Sequence, residues 1–97
     1  MLTVDEIRAQ FAGPVMSVPT TFTRDGSLDW NGIANMIERA ILGKSQVVLL
    51  TAGDSQYFFL SEDEIAQLTR FTIKCVAGRA LTVAATGRWS TQQSVAF

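Results

Sequence analysis

Few side chains in this sequence can carry acid–base or covalent chemistry, and the most suggestive group follows four consecutive aliphatics. Val47-Val48-Leu49-Leu50 runs directly into Thr51-Ala52-Gly53-Asp54-Ser55. Two hydroxyls, a flexible glycine and a short carboxylate therefore stand at the end of an apolar plug. Four aliphatics are too few for a helix and too continuous for a strand with one wet face. They predict a parallel strand buried on both sides. In α/β proteins ligand chemistry collects where such strands end. On residue types alone a second reading stands beside this one: a tight βα turn in which Asp54 or Ser55 satisfies backbone amides.

The other reactive groups narrow the chemistry by what they exclude. There is no histidine among the 97 residues, which removes His-based triads, His-ligated metals and His general bases from anything this chain does alone. The single cysteine, Cys75, permits neither an intrachain disulfide nor a four-thiolate zinc site. It falls on the apolar stripe of a helix and reads as a small buried hydrophobe. A lysine nucleophile must be desolvated or electrostatically tuned to be neutral near pH 7. Lys44, in a loop before a strand, and Lys74, on an outer helix, both read as solvated. Trp30 opens an amphipathic helix and reads as packing, whereas Trp89 follows a strand and stays open between packing and a pocket rim. No cofactor is implied by any motif.

Eight basic against nine acidic residues give a net charge of −1 with no basic patch, which argues against nucleic acid as a partner. No apolar run approaches the roughly 18 residues that a membrane helix requires. The start, MLTVDEIRAQ, carries acids in place of a basic leader region, so no signal peptide is expected and a reducing cytoplasm is the default location.

The elements that must position these groups follow from pattern. Thr3 with Glu6 is a capping-box pair opening a short helix through Val4, Ile7 and Phe11, which Gly13-Pro14 breaks. Val15 to Val18 predicts a short strand ended by Pro19. Arg24-Asp25-Gly26-Ser27 is turn chemistry. Trp30, Ile33, Met36, Ile37, Ala40 and Ile41 recur at steps of three and four, the mark of an amphipathic helix with Asp29 as N-cap and Gly43 as stop. After the central strand, Tyr57-Phe58-Phe59-Leu60 is aromatic enough to pack back on the protein. Ser61-Glu62-Asp63-Glu64 is a second capping box, starting a helix that Gly78 ends. Ala80 to Ala85 predicts a third buried strand, and Ser90 to Phe97 the opening of another helix. Strands thus alternate with helices, which gives parallel strands joined by right-handed crossovers. The chain stops inside a helix, and three strands with apolar faces leave two open edges. The simplest expectation is one N-terminal piece, residues 1–97, of a single larger α/β domain; a self-standing three-stranded module is the alternative.

With these elements placed, the chain resembles the N-terminal third of the dihydrodipicolinate synthase / N-acetylneuraminate lyase family from about Phe11 to Phe97. Members open with a Gly, a short strand, Thr-Pro-Phe and an Asp-Gly turn; here stand Gly13, Thr20-Thr21-Phe22 and Asp25-Gly26. Their second strand ends in Gly-Thr-Thr-Gly-Glu or Gly-Ser-Thr-Gly-Glu, then Leu-Ser or Leu-Thr and acids. Here stand Leu50-Thr51-Ala52-Gly53-Asp54 and Leu60-Ser61-Glu62-Asp63-Glu64. Their third strand runs from Gly-Arg to Ala-Gly-Val-Gly-x-x-Ser-Thr; here stand Gly78-Arg79, Ala84-Ala85-Thr86-Gly87 and Ser90-Thr91.

The resemblance implies a (β/α)8 TIM barrel, of which this chain supplies about three βα units after a short helix. It implies a homo-oligomeric enzyme, tetramer or dimer, that works through a lysine Schiff base with pyruvate or a related 2-keto acid. On that basis Thr51 would be the relay hydroxyl. The amides of Ala52 and Gly53 would face the substrate carboxylate, since backbone N–H groups at a strand end bind an anion without burying a lysine there. Ala52 lacks the usual second hydroxyl, with Ser55 the nearest replacement. Asp54 stands for Glu, Thr21 for Pro, and the Asp54–Leu60 segment is longer than usual. The family's Schiff-base lysine and its tyrosine partner belong to the sixth and fifth strands, so this chain alone is expected to be inert. The alternative is a barrel that has lost catalysis and serves as a binding or structural protein.

Overall fold

In a computed structural model, residues 2–50, 59–84 and 90–96 are described. They form α1 (Val4–Gln10), β1 (Val15–Ser17), α2 (Trp30–Leu42), β2 (Val47–Leu50), α3 (Glu62–Val76), β3 (Leu81–Ala84) and α4 (Thr91–Ala96). The three strands make one sheet in the order β1-β2-β3, and both pairings are parallel. Val48 sits between Met16 and Thr82, and Leu50 faces Ala84. Parallel neighbours require crossovers, and α2 and α3 supply them.

Local chemistry explains where the helices begin. Thr3 Oγ1 accepts from the Glu6 amide at 3.1 Å, and Asp29 Oδ1 from the Gly32 amide at 3.1 Å. Ser61 and Glu64 make both bonds of a full capping box, at 3.1 and 3.0 Å. Each satisfies amides that the first helical turn leaves without a partner. Ser90 and Gln93 repeat the reciprocal pair at the start of α4.

The helix ends differ from the sequence reading in one respect. Gly43 caps α2, but with φ −77° it is not the left-handed residue; Lys44 is, at φ 61°. The Lys44 amide reaches the Ile41 carbonyl and the Ser45 amide the Ala40 carbonyl, both at 3.0 Å. That is a Schellman closure with lysine where glycine is usual. At α3 the left-handed cap is Ala77, with Gly78 following at φ 77°. Arg79 binds back over this end, donating to the Val76 and Cys75 carbonyls and forming an ion pair with Glu38 of α2.

The core lies between the sheet and the two crossover helices. Ile33, Ile37 and Ala40 of α2 and Ile65, Leu68 and Val76 of α3 are buried against Val47, Val48 and Leu50. The central strand is closed on both sides, as its unbroken apolar run requires. The edge strands are not: Val15 is half exposed, and in β3 only Leu81 is fully buried. The expectation that β3 is a buried strand is therefore corrected, because it has a neighbour on one side only. Accessible surface totals 6485 Å², against about 5,500 Å² for a folded monomer of this mass. The excess is what open sheet edges and an unpacked α1, which buries no residue, would produce.

Candidate functional site

The carboxyl ends of the three strands lie level. Ser17 pairs with Leu49, the Val18 amide extends that ladder to the Leu49 carbonyl at 3.0 Å, and Leu50 pairs with Ala84. The fully buried Leu50 closes the apolar plug at this end. Thr51, Ala52, Gly53 and Ser55 come next in the chain and lie outside the described residues, as do Asp54, Tyr57, Phe58 and Trp89. Of the aromatic return segment, Leu60 packs into the core while Phe59 is 85% exposed. Packing back thus holds for Leu60 and fails for Phe59, while Tyr57 and Phe58 lie outside the described residues.

The segment after β1 leads from this end of the sheet to the start of α2. Thr21 grips Asp29 twice: its hydroxyl donates to the Asp29 carbonyl at 3.1 Å and its carbonyl accepts the Asp29 amide at 2.9 Å. Phe22 and Leu28 form an antiparallel bridge inside that clasp. At the tip, Gly26 takes φ 88°, Thr23 donates to the Asp25 carboxylate, and the Ser27 amide adds a bond at 3.0 Å. The Thr23 hydroxyl, followed by the Ser27 amide, holds the Asp25 carboxyl below its ordinary pKa. This carboxylate stabilises a turn and is fully exposed. Thr21, read as standing in place of a proline, is in effect the residue that ties the β1 loop to the start of α2. The signal that could have revealed this is the Thr-x7-Asp spacing across a turn-rich segment.

Neither lysine considered as a nucleophile is near the strand carboxyl ends. Lys44 precedes β2 and is exposed, and Lys74 projects from α3. Cys75 is half buried against the core, and burial followed by the nearby Glu38 charge pushes its thiol pKa up. That makes it a poor nucleophile at neutral pH. Trp30 packs on Phe71, with ring centroids 4.8 Å apart, as its place in an amphipathic helix predicts.

Two clefts are described. One, of about 490 Å³, opens at the amino ends of β2 and β3 among Gln10, Lys44, Gln46 and Arg79. It is at the opposite end of the sheet from the level carboxyl ends and belongs to the stability face of a βα architecture. The other, of about 250 Å³, lies between α2 and α3. Among the described residues no group of three or more Cys, Asp or Glu is placed to hold a metal ion. No described helix is long and apolar enough to cross a membrane.

Known proteins place this arrangement. The sequence model of the Dihydrodipicolinate synthetase family matches residues 10–97. Probable 5-dehydro-4-deoxyglucarate dehydratase 2 from Streptomyces avermitilis is 35% identical over 85 residues, covering 87% of this chain and 26% of that protein. L-2-keto-3-deoxyarabonate dehydratase from Azospirillum brasilense is 35% identical over 75 residues, 77% of this chain and 24% of its own length. 4-Hydroxy-tetrahydrodipicolinate synthase from Gluconacetobacter diazotrophicus is 33% identical, covering 88% of this chain and 29% of that protein. The crystal structure of dihydrodipicolinate synthase from Aquifex aeolicus superposes with a TM-score of 0.82 at 26% identity, over 89% of this chain and 29% of that one. The chain therefore spans less than a third of the length of these relatives. It is the N-terminal part of a (β/α)8 barrel, and it belongs to the dihydrodipicolinate synthetase family.

Proposed function

We propose that residues 1–97 are the first three βα units of a single barrel domain whose whole protein is a Schiff-base lyase acting on a 2-keto acid. The observation that carries this reading is the order of three family motifs along a parallel sheet, the second directly following Leu50 at a strand carboxyl end. In that reading Thr51 relays a proton, the amides of Ala52 and Gly53 receive the substrate carboxylate, and Ser55 replaces the hydroxyl that Ala52 lacks. The nucleophilic lysine belongs to a later strand, since Lys44 and Lys74 are exposed and far along the fold from this rim. A lysine imine withdraws electrons from the adjacent carbon, so either carbon–carbon cleavage or loss of water can follow.

Water elimination from a deoxy sugar acid is the favoured reaction. Two relatives at 35% identity are named as dehydratases of such acids, and the departures at Ala52 and Asp54 suit a substrate unlike that of the synthases. No further cofactor is needed, and a cytoplasmic homo-oligomer fits the family. The test is to treat the full-length protein with pyruvate and borohydride and map the adduct. A mass increase on one lysine of a later strand is expected; no adduct on any lysine removes the mechanism. Ala52 also favours a second reading, a non-catalytic paralogue. A lysine at the sixth strand and a tyrosine at the fifth in the whole sequence would exclude that paralogue.

A further inference from the structure

The chain between β1 and α2 is tied by bonds that the proposed chemistry does not use. Val18 and Leu28, 2% and 7% exposed, anchor its two ends in the core. Between them stand two rungs of a small hairpin. The Asp29 amide donates to the Thr21 carbonyl at 2.9 Å, and the Thr23 amide to the Ser27 carbonyl at 2.8 Å. The Gly26 amide closes the tip on the Thr23 carbonyl at 3.0 Å. The outer rung and the tip hold the turn by local bonds. The inner rung joins that turn to the start of α2, and there the Thr21 hydroxyl adds a second bond, donated to the Asp29 carbonyl at 3.1 Å. Gly32 leaves room for that hydroxyl, since a Cβ on it would stand 2.8 Å from Thr21 Oγ1.

This clasp stands close to the strand ends. The Val18 amide bonds the Leu49 carbonyl at 3.0 Å, so β1 accompanies β2 to this level. Adjacent strands run about 4.8 Å apart, and only Pro19 and Thr20 separate Val18 from the clasp. Those two residues and Thr21 are half-buried, whereas residues 22–27 are exposed. We propose that Thr21 is a positioning residue: its hydroxyl fixes Pro19 and Thr20 as a rigid wall of the 2-keto-acid pocket, an inference that rests on the Schiff-base reading above. Thr21 acts through main-chain geometry and does not touch the reacting atoms. Losing its hydroxyl therefore loosens the bound and reacting states alike, which raises the concentration needed for half-saturation and spares the limiting rate.

Borohydride trapping of the full-length protein over a range of pyruvate concentrations separates the two quantities. Thr21→Val, which keeps the shape and removes the donor, should raise half-saturating pyruvate about fivefold. It should change the limiting trapping rate by less than about twofold. Thr21→Ser should bring half-saturation back to within about twofold of the parent. Gly32→Ala, which pushes the hydroxyl aside while keeping Thr21, should shift half-saturation in the same direction, and it carries the test if Thr21→Val does not fold. Amide hydrogen exchange at Asp29 should quicken in Thr21→Val and not in Thr21→Ser. The proposal is overturned if Thr21→Val leaves half-saturation or Asp29 exchange unchanged, if the limiting rate falls instead, or if Thr21→Ser fails to restore binding. A parent protein that forms no adduct overturns the Schiff-base reading and this inference together, whereas failure of the clasp alone leaves the parent adduct intact.

Discussion

A glycine-to-alanine change inside a helix ordinarily stabilises it by about 1 kcal/mol. At Gly32 the structure predicts that this gain disappears, and the reason is a close approach. A Cβ built on Gly32 would stand 2.6 Å from Asp29 Oδ2, 3.1 Å from Asp29 Cγ and 2.8 Å from Thr21 Oγ1. Real Cβ atoms do not come so near, so the Asp29 carboxylate must leave the position from which it caps the Gly32 amide. Losing an N-cap costs about 1 kcal/mol, within a range of roughly 0.5–2. The two effects nearly cancel, and Gly32→Ala should change stability by less than about 0.5 kcal/mol in the parent protein. In an Asp29→Ala background the cap is already gone and only the Thr21 hydroxyl, 2.8 Å from the new methyl, must still turn aside, so the same change should stabilise by up to about 1 kcal/mol. Equilibrium urea unfolding of the four proteins of this cycle measures the coupling, expected near 1 kcal/mol. If Gly32→Ala has the same effect in both backgrounds, the carboxylate does not occupy the space the structure gives it.

Three further outcomes follow from particular residues. Thr72 is fully buried with its hydroxyl unpartnered among the described residues, so Thr72→Val should raise the urea midpoint, by about 1 kcal/mol in stability. Lys44 holds φ 61° in the closure of α2, so Lys44→Gly should stabilise by about 0.5–1 kcal/mol, where a helical interior position would lose as much. The hydrogen bond from Arg79, and secondarily its charge, lowers the Glu38 pKa in the folded state. That stabilisation is fully present above the unfolded-state pKa and is lost as pH falls through the lower folded value. Glu38→Gln should therefore lower stability slightly at neutral pH and leave it unchanged at the most acidic pH, flattening the acid limb, read by thermal melts between neutral and acidic pH.

What the sequence by itself determined is what hydrogen bonds between near neighbours decide. Thr3 and Ser61 cap the helices that their spacing from Glu6 and Glu64 announces, and Asp29 caps the helix whose apolar period begins beside it. Period separates the stripes of α2 and α3 from the unbroken aliphatics of β2, and three motifs in order identified the family. Tertiary structure decided what depends on distant parts of the chain. It made Lys44 a left-handed residue although Gly43 stands next to it, and put Ala77 there as well as Gly78. It turned Arg79, a residue of a motif, into a clamp joining α2 to α3. It left Phe59 in solvent and β3 half covered, because burial depends on which neighbours the sheet supplies and not on how apolar a segment is. The level carboxyl ends of β1, β2 and β3 are of the same kind: parallel register is fixed by packing the two crossover helices on one sheet, and no local pattern encodes it.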